Sequence, residues 1–141
     1  MLLVDANVLL HAVNEHSPQH PAAKRWLGRA LQGDEPVALA WSVLLAFIRV
    51  STHPAVFSRP LSADQAGAVV EAWLAAPHAV VVEPTSRHLP LLRGLLGTAG
   101  TAGNLVNDAH LAALTLEHAA TMVSFDRDFA RFEGITTLRP G

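Results

Sequence analysis

Apolar residues along this chain fall into two rhythms, short unbroken runs and longer stretches with a three-to-four repeat, and the two alternate from end to end. Leu2-Leu3-Val4 is an unbroken run of the kind a central parallel strand needs, since such a strand is buried on both faces. Residues 8–13 and 19–32 read as helices. In the second, Ala22, Ala23, Trp26, Leu27, Ala30 and Leu31 recur at helical spacing and Gly33 supplies a stop. Val37-Ala38-Leu39-Ala40 predicts a second strand, and residues 42–52 an apolar helix ended by His53-Pro54. Ser62-Ala63-Asp64-Gln65 has the form of a capping box, with Ser62 as N-cap and Gln65 reaching back, opening a helix to about Ala75 before Pro77. The valine-rich run Ala79-Val80-Val81-Val82 predicts a third, buried strand. A helix over 86–97 follows, then a flexible small-residue loop from Gly97 to Gly103, then a long helix capped by Asn104 and reaching about Ala119. Thr121-Met122-Val123 is the expected fourth strand and Ile135-Thr136-Thr137-Leu138 the fifth.

Strands alternating with helices throughout imply crossover connections, hence an α/β fold with a mostly parallel sheet and helices on both faces. The 141 residues are enough for one domain with a real core, and no interior linker separates two cores, so residues 1–141 are read as a single domain. Half the residues are hydrophobic and 16% are charged, the balance of a globular chain rather than a disordered one. There is no cysteine, which excludes disulfides, thiolate metal sites and cysteine nucleophiles. The longest apolar stretch, from Val37 to Val50, is broken by Ser42 and Arg49 and is too short to span a bilayer. The N-terminus lacks the basic flank of a signal peptide, so the expected location is cytoplasmic, with no membrane partner. Net charge is −2 and the basic residues are almost all arginine, with Lys24 the only lysine; this neither supports nor excludes a nucleic-acid partner.

The chemistry lies in the acids. Asp5 follows the first strand directly, Asn107-Asp108 opens a helix, and Asp126-Arg127-Asp128 follows the fourth strand. A carboxylate at the exit of a buried strand carries a large desolvation cost unless something compensates it. In parallel sheets the carboxyl ends of all strands share one edge, where ligands bind, so these acids are expected to meet there. Like charges brought together repel, and a hard divalent cation relieves the repulsion. Oxygen ligands without cysteine or paired histidine favour Mg²⁺ or Mn²⁺ over Zn²⁺. Each acid also has a plain structural reading. Asp5 could cap a helix over 6–13, Asp108 could be a favourable first-turn charge, and Asp126 and Asp128 could be turn residues. The joint placement is what points to a site. Ser17-Pro18 breaks the helical spacing of His16 and His20, and His110 and His118 lie too far apart along one helix to share a metal. Trp26, Trp41 and Trp73 stand at helical positions that usually face a core.

Three segments carry a resemblance: Leu3-Val4-Asp5-Ala6-Asn7-Val8-Leu9-Leu10, the stretch from Asn104 to Leu114 around Asn107-Asp108, and the stretch from Ser124 to Phe132 around Asp126-Arg127-Asp128. Together they resemble the PIN-domain ribonucleases, and more narrowly the VapC toxins of bacterial VapBC toxin–antitoxin modules. The resemblance implies a sheet of order 3-2-1-4-5 and Mg²⁺- or Mn²⁺-dependent endonucleolytic cleavage of RNA, of the tRNA or rRNA class, to inhibit translation. It also implies neutralisation by a cognate VapB-like antitoxin, and a homodimer. Asp5, Asp108 and Asp126 would hold the cation. One departure stands out: a second-motif glutamate usual in the family is replaced here by Ala46, within Leu45-Ala46-Phe47-Ile48-Arg49. That leaves Asp128 as candidate fourth acid, with Asn7 and Ser42 as neutral or water-mediated contacts. Arg49 or Arg127 would position the scissile phosphate or pair with a site acid. Two rival classes remain: a PIN-like binding module that has lost catalysis, and phosphoryl transfer through an aspartyl nucleophile. The second usually needs a lysine beyond mid-chain, and this chain has none there.

Overall fold

In the computed structural model, which describes residues 1–99 and 105–141, strand β1 (Leu2–Val4) lies at the centre of a five-stranded parallel sheet of order β3-β2-β1-β4-β5. The expected order is borne out. β1 is flanked by β2 (Val37–Ala40) and β4 (Thr121–Val123), with Leu3 opposite Ala38 on one side and Met122 on the other. The outer strands are β3 (Ala79–Val82) and the two-residue β5 (Thr137–Leu138). Leu3, Val4, Val37, Ala38, Leu39, Met122 and Val123 are fully buried, which is why these strands carry unbroken apolar runs.

The helices are α1 (Ala6–Val13), α2 (His20–Gln32), α3 (Trp41–Ser51), α4 (Ala63–Leu74), α5 (His88–Ala99) and α6 (Val106–Glu117). Helix α1 packs against α2 and α3, α3 against α4, and α5 against α6. The capping box of α4 forms as expected, with Gln65 N–H donating to Ser62 Oγ and Ser62 N–H to Gln65 Oε1. Phe47 is fully buried and meets Trp73 edge-on at 4.7 Å between ring centroids. A polar tie joins the start of α5 to the end of α6. Glu117 accepts from the backbone N–H and the hydroxyl of Thr85 and pairs with His88 Nδ1 at 2.6 Å, and His88 Nε2 lies 2.9 Å from His110 Nδ1.

Several expectations need correction. Strand β3 is only partly buried, with Val82 in the core. Val80 and Val81 are 37% and 40% exposed, because β3 is an edge strand and its two faces are only partly covered. Helix α1 begins two residues early, at Ala6, since Asp5 caps it. Gly97 does not end α5, which runs on to Ala99; the rest of the expected loop and the Asn104 cap lie outside the described residues. Helix α6 stops at Glu117 rather than near Ala119, where φ reaches +50° and leaves the helical region. The fifth strand is only Thr137–Leu138, and a 3₁₀ turn over Arg127–Arg131 had no signal. Trp26 and Trp73 pack on the core as expected, whereas Trp41 is 47% exposed at the first turn of α3.

Candidate active site

Asp5 ends the buried strand β1 and starts α1. Its N–H donates to Val123 O at 2.9 Å, continuing the β1–β4 ladder one residue past Val4. The side chain then turns the chain into the helix, as Oδ1 accepts from the N–H of Ala6 at 2.7 Å. The capping reading and the site reading therefore describe the same residue. Its other oxygen, Oδ2, accepts from Ser124 Oγ at 2.7 Å.

Ser124, buried at the exit of β4, joins the two edges of the site. Besides donating to Asp5, its hydroxyl accepts from Asn7 Nδ2 at 3.0 Å and from the backbone N–H of Asp126 at 2.9 Å. Asn7 returns the link, its Oδ1 accepting from the N–H of Phe125 at 3.2 Å. The loop that presents Asp126 is thus fastened to the first turn of α1. Asp126 in turn caps the 3₁₀ turn by accepting from the N–H of Asp128 at 2.8 Å. The turn reading of Asp126 is accordingly correct as far as it goes, and it coexists with the link to Asp5. Sequence reasoning named Asn7 but passed over Ser124. The sole signal was a small hydroxyl residue directly after an apolar strand.

Asp108 comes from the first turn of α6. It lines a cavity of about 350 Å³ together with Asp5, Ser42, Arg49 and Asn107, walled on its apolar side by Val43, Leu45, Ala46 and Leu111. Asp5 and Asp108 supply the acids, and Ser42 and Arg49 stand on the facing helix α3. Ala46 lies beside them on the same helix. Asp126 and Arg127 do not line this cavity. They line a second one, of about 250 Å³, with Ser124, Phe125 and Arg139. Asp128 is more peripheral still, 57% exposed and 3.7 Å from Arg131 Nη2.

The electrostatics connect what the cavities separate. Burial pushes the Asp108 carboxyl up to about 6, helped by the charges of Asp5, Asp126 and Asp128 and partly offset by Arg131. Burial also raises Asp5; the bonds from Ser124 and Ala6 oppose this, and the Asp126 charge adds to it. Four carboxylates thus share one field at the carboxyl edge of the sheet. Among the described residues no three His, Asp or Glu side chains stand together as a ready-made metal cage. Asp5 and Asp108 are the pair able to hold a cation from one cavity, with Asp126 one hydrogen-bonded step away through Ser124.

The PIN domain family profile matches residues 2–135. The chain is 53% identical over 140 residues to Ribonuclease VapC37 of Mycobacterium tuberculosis, covering 99% of this chain and 97% of that one. It is 41% identical to Ribonuclease VapC31 of the same organism, covering 99% of both. In fold it is similar to VapBC2 from Rickettsia felis, whose structure is of a complex bound to a promoter DNA fragment. That match has a TM-score of 0.73 and 17% identity, over 99% of this chain and 98% of that one. It is likewise similar to Mycobacterium tuberculosis VapC20, a Sarcin-Ricin loop cleaving toxin, with a TM-score of 0.72 and 18% identity, over 99% of this chain and 100% of that one. Match over nearly the whole chain, a parallel sheet of the expected order and acids gathered at its carboxyl edge agree: the chain belongs to the PIN-domain family, among the VapC ribonucleases.

Proposed function

We propose that this protein is the toxin of a type II toxin–antitoxin pair, a Mg²⁺- or Mn²⁺-dependent endoribonuclease that cleaves RNA of the tRNA or rRNA class and so inhibits translation. The observation that carries the reading is the meeting of Asp5 and Asp108, more than a hundred residues apart, on one cavity where each carboxyl is raised. A raised carboxyl marks negative charge that the protein itself leaves uncompensated, and an oxygen-ligated hard cation is the group that would compensate it. The donor set fits such an ion. Each Asp5 oxygen already accepts one bond but keeps a further lone pair, and Asp108 makes no described side-chain hydrogen bond. Asp126 would supply the third carboxylate, directly or through water, with Asp128 behind it.

When bound, the cation would lower the pKa of the attacking water and stabilise charge on the phosphorane-like transition state. The chain's own residues do the rest. Ser124 and Asn7 hold the Asp5 and Asp126 edges in fixed relation. Arg49, exposed on α3 across the cavity from the acids, is placed to bind the scissile phosphate. Val43 and Leu111, both buried, and the more exposed Leu45 form the apolar wall. The partners proposed are an RNA substrate, a VapB-like antitoxin and a second copy of the chain, and the proposed location is the cytoplasm, where translation takes place. Among the described residues no helix is long and apolar enough to cross a membrane.

Incubation of total RNA with purified, antitoxin-free protein and Mg²⁺ or Mn²⁺ tests this reading, with EDTA and Asp5→Ala as controls. Discrete fragments lost in both controls are expected. The second reading, a binding module without catalysis, is favoured by Ala46 standing on the cavity wall in place of an acid. Retained RNA binding by folded protein, with no cleavage in either metal, would decide for it.

A further inference from the structure

The second cavity carries two arginines, Arg127 and Arg139, that the catalytic reading leaves unused. It lies at the exits of β4 and β5 and is lined by Ser124, Phe125, Asp126, Arg127, Leu138 and Arg139, among others. Arg139, just after the last strand, is held in two ways. Its Nη1 donates to the carbonyl of Phe125 at 2.6 Å, and its guanidinium lies 5.1 Å from the centroid of the Phe125 ring. The ring is itself braced, meeting the edge of His11 at 5.2 Å between centroids. A guanidinium fixed by one carbonyl acceptor and one aromatic face keeps its remaining N–H groups in a defined direction, so little entropy is lost when they bind. Among the described residues neither Arg139 nor the exposed Arg127 forms an ion pair. Two cations without a carboxylate partner thus border one cavity, whose Ser124 and Asp126 also belong to the hydrogen-bonded network reaching Asp5.

The geometry points to a second phosphate subsite, in which Arg139 and Arg127 bind an RNA backbone phosphate next to the scissile one. It rests on the endoribonuclease reading above and adds a direction to it. The RNA strand crosses the carboxyl edge of the sheet from the Arg49 cavity, over the acids, to Arg139. The bond from Arg139 to the Phe125 carbonyl ties this subsite to the loop carrying Asp126, while Arg139 itself binds the strand away from the bond that is cleaved.

The test compares wild-type protein with Arg139→Gln, Arg139→Lys and Arg127→Gln. Binding of a labelled, mixed-sequence single-stranded RNA is measured in EDTA, which keeps the probe intact, over a range of salt concentrations. Cleavage of total RNA is measured in Mg²⁺ or Mn²⁺. Arg139→Gln should weaken binding roughly tenfold and make the slope of log affinity against log salt shallower by about 0.7, the value of one lost phosphate contact on a single strand. Arg139→Lys should keep most of that slope, and Arg127→Gln should lose a similar increment. In cleavage, the larger part of the Arg139→Gln loss should fall on KM rather than kcat. Should Arg139→Gln lower kcat or the melting temperature while affinity and salt slope match wild type, Arg139 merely fastens the loop and the subsite is refuted. Arg127→Gln takes over as the deciding variant if Arg139→Gln does not fold, because an unchanged slope there also refutes the subsite. If wild-type protein neither binds nor cleaves RNA, the endoribonuclease reading itself fails, and the wild-type measurement alone reveals it.

Discussion

The hydroxyl of Ser124 donates to Asp5 while accepting from Asn7 and from the Asp126 backbone, so Ser124→Ala removes three hydrogen bonds through one atom. Two donors lose their acceptor in a partly buried setting, which costs about 1–3 kcal/mol. Asp5 also loses a bond that holds its carboxyl down, so its pKa rises further. The expected result is a lower urea midpoint, together with an acid limb of RNA cleavage shifted to higher pH. A variant as stable as wild type would show that this hub is dispensable. Asp108 behaves differently, because its carboxyl binds a proton more tightly in the folded chain (about 6) than at the ordinary value of 3.8. Between these values the folded state holds more protons than the unfolded state, so stability falls as pH rises through that window and stays lowered above it. Asp108→Asn should therefore abolish cleavage yet raise the melting temperature at pH 7 in the absence of divalent cations. Its melting temperature should also depend less on pH between about 4 and 6. A lower melting temperature at pH 7 would contradict the view that this charge is strained.

At the level of elements, the legible and the hidden divide along physical lines. β1, β2 and β4 were readable because a strand covered on both faces must be apolar at every position. β3 was overread for the same reason, since Val80 and Val81 give the same pattern on a half-exposed edge strand. Composition does not report how many neighbours a strand has. The acids were legible through position: Asp5 directly after an apolar run and Asp108 opening a helix, both now on one cavity. Ser124 and Arg139 were not, because their roles depend on partners 119 and 14 residues away, with no local periodicity to mark them. The tie between α5 and α6 was hidden in the same way. Burial pulls the Glu117 carboxyl up, yet hydrogen bonds from His88 and Thr85 prevail and hold it below its ordinary value. A depressed carboxyl contributes stability above its unfolded pKa and loses it as pH falls through the folded one. Glu117→Ala should cost about 1–3 kcal/mol at pH 7 and less as pH falls below 4.5, measured by chemical denaturation. Amide exchange should quicken first in α5, which the tie secures to α6. Equal protection in wild type and variant would assign the stability of α5 to its apolar face alone.

Across the whole molecule, four carboxylates converge on one edge of the sheet of a chain whose net charge is only −2. The rest of the chain carries a net +2, ten basic residues against eight acidic, so the edge is a local concentration of negative potential rather than part of a uniformly acidic surface. Such an arrangement costs stability and would regain it on binding the proposed cation, because the ion would interact with the folded edge and not with the dispersed acids of the unfolded chain. At a hundred times its dissociation constant a single bound ion adds about 2.7 kcal/mol, which for a chain of this size raises the melting temperature by roughly 5–10 °C. Mg²⁺ or Mn²⁺ should therefore stabilise wild-type protein at pH 7, since oxygen ligands suit either ion. The stabilisation should weaken below pH 6, as protons compete for Asp108. Asp108→Asn should start from a higher melting temperature and gain almost nothing from either ion. Those opposite responses separate a metal site from a general salt effect, which would move both proteins alike. Equal shifts in the two would remove the cation from the mechanism and leave Asp5 and Asp108 as an acid pair without one.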